Sequence, residues 1–208
     1  YYDNGKLKFE GEYFYGHKAC AGCGGSLAVR MALKVLGDNS FAAVPACCMS
    51  AVAFNYPQLC FGNNAIITPF AATASVLTGI EAGLRALGKS NFYAVGFAGD
   101  GGTIDIGLQA LSGAMERNEN ILYLCYDNEA YMNTGVQGSG STSLWASTTT
   151  TPSGKPGVSK DLFRIAVAHN VPYAATASVA NLQDLKRKVT KARNTYGTSV
   201  LHVHCPCP

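Results

Sequence analysis

Two apolar runs that end in different turns limit what this chain can fold into more than any other feature. The first, Phe92-Tyr-Ala-Val-Gly-Phe-Ala98, breaks at Gly99-Asp100-Gly101-Gly102. A segment with helical spacing follows, in which Ile104, Leu108, Leu111 and Met115 recur at steps of three or four. The second run, Ile121-Leu-Tyr-Leu-Cys-Tyr126, stops at Asp127-Asn128-Glu129-Ala130-Tyr131-Met132-Asn133-Thr134-Gly135. Strand, turn, helix, strand and turn make one right-handed crossover unit, whose two strands run parallel. The expected fold class is therefore α/β, a mostly parallel sheet flanked by helices. Asp100 and Asn128 then fall on the same, carboxyl-end side of the sheet, where ligands of open α/β sheets bind.

Those two strand ends offer hard oxygen chemistry. Asp100 gives a carboxylate oxygen, Asn128 an amide oxygen, and the turn after Asn128 a main-chain carbonyl. Three oxygens on rigid strand ends, with positions left open, suit Mg²⁺ that completes its octahedron with phosphate oxygens and water. Gly99, Gly101 and Gly102 carry no side chains, so a diphosphate can approach amide N–H groups at a helix start. Gly-Asp-Gly by itself reads equally well as a glycine turn with a helix-capping Asp. The second cluster, one crossover unit later, shifts the balance toward a site.

Eight cysteines need an explanation, because disulfides are rare in a cytoplasmic chain of this size. Cys60 and Cys125 stand inside apolar stretches and read as small core residues. Cys20-Ala-Gly-Cys23 differs: two thiols three apart, in a glycine-containing turn ahead of a helix, can grip one metal centre. That pattern fits zinc, a redox pair or half of an iron–sulfur site. Two further ligands are needed, and the candidates are Cys47 or Cys48, and Cys205 or Cys207.

Gly-Asp-Gly-Gly-Thr-x-Asp-Ile-Gly from Gly99, followed by Tyr-Asp-Asn-Glu-x-Tyr-Met-Asn-Thr-Gly up to Gly135, resembles the metal and diphosphate motif of thiamine-diphosphate enzymes. Within that group the wording is similar to the cofactor-holding subunit of 2-oxoacid:ferredoxin oxidoreductases, over about Gly16 to Pro208. The resemblance implies that Asp100, the Asn128 side chain and the Ala130 carbonyl bind Mg²⁺. Gly99, Gly101 and Thr134 would line the diphosphate, and Asn133 would lie near both diphosphate and substrate as the catalytic candidate. It also implies a [4Fe-4S] cluster. The Gly16-His-Lys-Ala-Cys-Ala-Gly-Cys-Gly24 context supplies Cys20 and Cys23, and the positions matching the other two ligands are Cys48 and Cys207. Family members pass electrons to ferredoxin and the acyl group to coenzyme A. They take the glutamate that activates thiamine from another domain or subunit, and no equivalent is evident here because Glu129 sits inside the metal turn. A partner subunit carrying ferredoxin-type clusters is implied as well.

The remaining sequence supports a single thiamine-diphosphate-binding domain over residues 1–208, as part of a longer subunit. A hydrophobic content of 48% against 14% charged residues suggests a surface covered by other chains. The net charge of +3 is spread without a basic run, which argues against nucleic-acid binding. No apolar stretch reaches membrane-spanning length, so the expected location is the cytoplasm. Residues 1–15, with Tyr1, Tyr2, Tyr13 and Tyr15, read as an arm lying on a neighbour. Expected helices cover Gly25–Leu36 (Leu27, Met31 and Val35 inward), Phe70–Leu87 (Leu77, Ile80, Leu84 and Leu87 inward), Asp161–His169 and Leu182–Tyr196. Expected strands cover Phe41–Ala46, Tyr173–Ala177 and Ser199–His204, with residues 49–69 irregular. The Gly-, Ser- and Thr-rich stretch Val136–Lys160 is too long for a plain connection and reads as a cover over the active site.

The substrate is less constrained. Where the family has Gln-Arg-Ser and then Thr-Pro, this chain has Gln137-Gly138-Ser139 and Thr142-Ser143-Leu144-Trp145. Pyruvate leads, with oxalate or a branched or aromatic 2-oxoacid as alternatives. Two rival functions are a non-oxidative thiamine-dependent carboligase or decarboxylase, and a non-catalytic subunit in which the four cysteines bind structural zinc.

Overall fold

The computed structural model describes residues 2–3, 6–7, 13–55 and 58–208. Its centre is a six-stranded sheet built from β1 (Ser40–Pro45), β2 (Asn64–Thr68), β3 (Tyr93–Gly99), β4 (Ile121–Asp127), β5 (Tyr173–Ser178) and β6 (Ser199–His204). The strands lie in the order β5-β6-β4-β3-β1-β2, and every neighbouring pair is parallel. All seven residues of β4 are buried, which its uninterrupted apolar run requires of a central parallel strand.

Six helices cover the sheet: α1 (Gly24–Leu36), α2 (Cys48–Ala53), α3 (Thr73–Ala86), α4 (Leu108–Glu116), α5 (Leu162–Ala168) and α6 (Leu182–Arg193). Alternate strand residues feed two cores. Val95, Phe97, Leu122 and Leu124 pack with Val29 and Leu33 of α1 and Leu185 and Val189 of α6. Ala94, Ala98, Ile121 and Tyr123 pack with Leu77 of α3, Leu111 and Met115 of α4, and Leu162 of α5. The period of two along each strand is what separates the layers.

Helix boundaries follow local chemistry. Asp161 and Asn181 cap α5 and α6 by accepting from the backbone N–H groups of Arg164 and Asp184, each at 3.0 Å. The chain leaves α1 at Gly37, whose φ of 73° suits glycine. Arg193 of α6 donates to the Val35 carbonyl at 2.8 Å, tying the far ends of α6 and α1 together.

Several expectations need correction. The buried side of α1 centres on Ala28, Val29, Ala32 and Leu33, with Leu27 and Val35 only partly covered, because the helix is sandwiched between sheet and α6 and small residues make the closest approach. Leu87 is 74% exposed rather than inward, since the last residues of α3 and those that follow it, 85–90, are all exposed to solvent. Residues 49–69 hold both α2 and the edge strand β2. The helix α6 stops at Arg193 and leaves Tyr196 exposed. Cys60 and Cys125 are buried, as core cysteines should be. The proposed arm of residues 1–15 lies for the most part outside the described residues. No helix among the described residues is long and apolar enough to cross a membrane.

Candidate active site

The strand order reverses between β1 and β3: the chain leaves β1 toward β2 on one side, and leaves β3 toward β4 on the other. A cavity opens at that switch point, as expected of ligand sites in open parallel sheets. Residues following three strand ends line it: Ala46, Cys47 and Cys48 after β1, Gly99 and Asp100 at β3, and Asn128 with Ala130 through Thr134 after β4.

Gly99 pairs with Tyr126 in the register of β3 and β4, so Asp100 and Asn128 leave adjacent strands one residue apart. One end of the Asn128 amide stands 3.1 Å from Asp100 Oδ1 and 2.8 Å from the Ala130 carbonyl oxygen. With nitrogen at that end, the amide donates to both. With oxygen there, three oxygens meet at the spacing of adjacent ligands in an octahedron with 2.1 Å bonds, about 3.0 Å. The Asn128 amide end thus stands within 3.1 Å of both other oxygens named by the sequence. Burial, and the nearby Asp127 carboxylate, push the Asp100 carboxyl up to about 7.

The glycine turn after β3 is not the start of one continuous helix. Gly101–Asp105 forms a wider π turn before α4 begins at Leu108. Gly101 and Gly102 make room for aromatic rings: a Cβ at Gly101 would overlap the Tyr131 ring, and one at Gly102 would come 2.9 Å from the Phe70 ring. Phe70 and Tyr131 meet edge to face, with centroids 6.2 Å apart, and wall the cavity. Phe70 was not legible in the sequence as part of a site, and Tyr131 was legible only as a member of the motif that ends at Gly135, with no role assigned to its ring.

Residues 136–160 do not cover the cavity, and none of them lines it. They pack behind the turn that follows β4 instead. Ser139 Oγ donates to Asp100 Oδ2, Ser141 Oγ to Asp127 Oδ2, and Thr142 Oγ1 to the Glu129 carbonyl. Short hydroxyl side chains reach the buried carboxylates that the turn exposes on that side, and this is what draws the segment inward. Asp127 also accepts from or pairs with His202 Nε2 at 2.6 Å. Burial alone would raise the Asp127 carboxyl, but the contacts from His202, Ser141 and the Glu129 backbone hold it below the usual carboxylate range. Trp145 is 69% exposed and away from the cavity, so it forms no wall for a substrate bound there. Glu129 lines a separate polar cleft with Asp127, Lys160 and His202, and no Glu among the described residues lines the main cavity.

The thiols gather beside the same cavity. Cys23 caps α1 with its Sγ 3.5 Å from the Ser26 N–H. The chain end reaches it because Gly24 has no Cβ: one there would come 2.9 Å from the Cys205 carbonyl carbon and the Pro206 oxygen. Burial raises the Cys48 thiol to about 11, Cys47, Cys207 and Cys23 push the same way, and a backbone hydrogen bond from Asn133 opposes them. Burial, then Cys23 and Cys20, likewise raise Cys207. Cys48 is therefore an electrostatic neighbour of Cys23 and Cys207, and Cys207 of Cys23 and Cys20. Among the described residues, no three His, Cys, Asp or Glu side chains converge on one ion-sized point.

Cys47 precedes and Cys48 opens α2, and the two thiols have different neighbours. The Cys47 Sγ lies 2.8 Å from the Tyr126 hydroxyl, and Cys48 faces the other thiols. Cys205 is buried behind them, its N–H donating to the Asp127 carbonyl at 2.7 Å. Asn133 and Thr134 are exposed at the cavity mouth.

Known proteins resemble this chain at several levels. A family model for the thiamine pyrophosphate enzyme, C-terminal TPP binding domain, matches residues 45–203. The pyruvate synthase subunit PorB of Methanothermobacter thermautotrophicus is 50% identical over 197 residues, covering 92% of this chain and 68% of that protein. The ketoisovalerate oxidoreductase subunit VorB of Pyrococcus horikoshii is 48% identical over 212 residues, covering 97% of this chain and 68% of that protein. Among solved structures, a 2-oxoglutarate:ferredoxin oxidoreductase from Magnetococcus marinus superposes with a TM-score of 0.82 at 22% identity, over 94% of this chain and 67% of that one. This last likeness speaks for the fold.

Proposed function

Because this chain belongs to the thiamine pyrophosphate enzymes, and among them to the thiamine-diphosphate-binding subunits of 2-oxoacid:ferredoxin oxidoreductases, we propose that it holds the centre where a 2-oxoacid is oxidatively decarboxylated. In this reading Asp100, Asn128 and the Ala130 carbonyl hold Mg²⁺, which anchors the diphosphate. Gly99, Gly101, Asn133 and Thr134 complete the diphosphate and substrate surroundings. Cys20, Cys23, Cys48 and Cys207 hold a [4Fe-4S] cluster. Electrons then go to ferredoxin through a partner subunit, and the acyl group goes to coenzyme A.

The residues fit both groups. A divalent cation beside Asp100 would offset the burial and the Asp127 charge that raise its carboxyl, and so keep it ionised at neutral pH. Iron would likewise stabilise thiolates that burial disfavours.

When bound, thiamine diphosphate supplies the carbanion for the substrate carbonyl and the electron sink for CO₂ loss, and the cluster supplies one-electron acceptance. The chain's own contribution is positioning. The apolar wall of Phe70 and Tyr131 excludes water, and the buried strand ends fix the metal ligands. Cys48 carries the reading: it lines the cavity, and its thiol also feels Cys23 and Cys207, so one residue borders both centres. The glutamate that activates thiamine would come from a partner chain, because no Glu among the described residues reaches the cavity.

Pyruvate is the proposed substrate, since a pyruvate synthase subunit is among the most similar relatives. A branched 2-oxoacid is the second reading, because the ketoisovalerate subunit is only two points less identical (50% against 48%). The test is an anaerobic assay of the assembled enzyme with a panel of 2-oxoacids and oxalate, following viologen reduction with and without coenzyme A. Iron and sulfide analysis accompanies it. Dithionite-bleachable colour with coenzyme A-dependent reduction on one 2-oxoacid is expected. A colourless protein that binds thiamine diphosphate and releases CO₂ without reducing the dye would sink the oxidative reading.

A further inference from the structure

Asp100 has two carboxylate oxygens, and they face different partners. Oδ1 meets the Asn128 amide and, through it, the Ala130 carbonyl. Oδ2 accepts the Ser139 hydroxyl proton from the opposite side. Ser139 has few alternatives. Its Oγ already accepts the Ser141 N–H at 3.2 Å, so its single proton points at Asp100. Its own N–H donates to Thr142 Oγ1 at 2.9 Å. The Lys155 ammonium then fixes the turn by donating to the carbonyl oxygens of Ser139, Gly140 and Thr142 at 3.0, 3.1 and 2.8 Å. Ser139 is 6% exposed, so water does not compete for this bond.

We infer that Ser139 sets the metal preference of the diphosphate site, by reserving Oδ2 of Asp100 and leaving only Oδ1 for the ion. The inference rests on the Mg²⁺ reading above and goes further than it, to which divalent ion the site accepts. Mg²⁺ needs one oxygen per ligand at 2.0–2.1 Å in a near-ideal octahedron, whereas Ca²⁺ takes six to eight oxygens at longer range and readily uses both oxygens of a carboxylate. A carboxylate held on one side by a buried hydroxyl, itself anchored by a lysine-clamped turn, cannot swing to offer both. Ser139 is thus a positioning residue for the metal, and Lys155 holds it in place.

The test uses the assembled enzyme stripped of metal and thiamine diphosphate, then titrated calorimetrically with thiamine diphosphate in saturating Mg²⁺ or Ca²⁺. Binding is the readout, independent of turnover. Asp100→Ala is the control for the underlying site: if it binds as the wild type does with Mg²⁺, the metal reading itself fails. Where that control loses binding, Ser139→Ala is expected to move the Mg²⁺-to-Ca²⁺ affinity ratio toward Ca²⁺ by about tenfold. Ser139→Cys, of similar size but a weak donor, serves if the Ala variant does not fold, and should shift the ratio the same way. Equal weakening with both ions, or an unchanged ratio in a folded variant, overturns the inference.

Discussion

The Tyr131 hydroxyl donates to Asp105 Oδ2 at 2.8 Å, joining the aromatic wall of the cavity to the π turn beneath it. Asp105 collects more: the Gly140 N–H on Oδ2 and the Lys160 ammonium on Oδ1, each at 2.8 Å. One carboxylate therefore connects the glycine turn after β3, the cavity wall and the segment behind Asp100 and Asn128.

Asp105→Asn should weaken those contacts in a pH-dependent way. Burial acts to raise this carboxyl, but the bonds from Lys160, the Gly140 backbone and Tyr131 outweigh it and hold it below the usual range. A lowered folded-state pKa means the extra stability is present above the unfolded value near 4 and is lost as pH falls through the folded value. The variant is expected to be about 1–2 kcal/mol less stable at pH 7, with Lys160 half exposed and its share discounted accordingly. Urea unfolding at pH 7 and in acid measures the gap; a gap as wide in acid as at pH 7 would contradict the assignment.

Asp100→Ala should weaken Mg²⁺-dependent thiamine diphosphate binding by at least about 100-fold while leaving iron content unchanged. The carboxylate belongs to the oxygen cluster and not to the thiol cluster. Calorimetry with parallel iron analysis separates the two effects, and joint loss of both would indicate general misfolding.

Replacing single thiols should distinguish ligands from neighbours. Cys20→Ser, Cys23→Ser, Cys48→Ser and Cys207→Ser are each expected to lower iron and sulfide content, whereas Cys47→Ser keeps both. The Cys47 thiol is turned to the Tyr126 hydroxyl, 2.8 Å away, and so is occupied elsewhere. Full cluster loading in Cys48→Ser with loss in Cys47→Ser would reverse the choice.

Two glycine substitutions should act in opposite directions. At Gly24 a methyl would meet the backbone of Cys205 and Pro206 at 2.9 Å, so Gly24→Ala should cost about 1–3 kcal/mol and push the Cys207 turn away from Cys23. Gly79 in α3 has nothing within 4 Å of its added Cβ, and Gly79→Ala should stabilise by about 0.5–1 kcal/mol. Thermal melts compare them, and reduced iron content in Gly24→Ala alone is the second expected outcome. Destabilisation by Gly79→Ala would point to a neighbour on that face in the assembly.

Legibility in the sequence tracked how local each cause was. Strand β6 occupies Ser199–His204, the very span its apolar alternation and flanking polar turns predict, and α5 and α6 start at side chains that cap their own backbone. The strand β2 was hidden. Its Ile66 and Ile67 are 44% and 47% exposed on a sheet edge, so neither a buried run nor clean alternation marks Asn64–Thr68. The α3 stripe was over-read for the opposite reason, because periodicity reports which residues share a face but not how far along the helix the sheet extends. Leu77 is fully buried and Leu87 is not.

The sequence by itself determined the parallel α/β class and the placing of Asp100 and Asn128 at adjacent strand ends. Each follows from short-range pattern and residue type, which the chain carries along its length. Only the tertiary structure decided that residues 136–160 lie behind the turn after β4 instead of over the cavity, that Phe70 and Tyr131 fill the space left by Gly102 and Gly101, and that Cys48 both lines the cavity and feels Cys23 and Cys207. These are contacts between segments distant in sequence. They are chosen by which buried carboxylates need hydrogen bonds and which rings fit against glycine, and no local period records that choice.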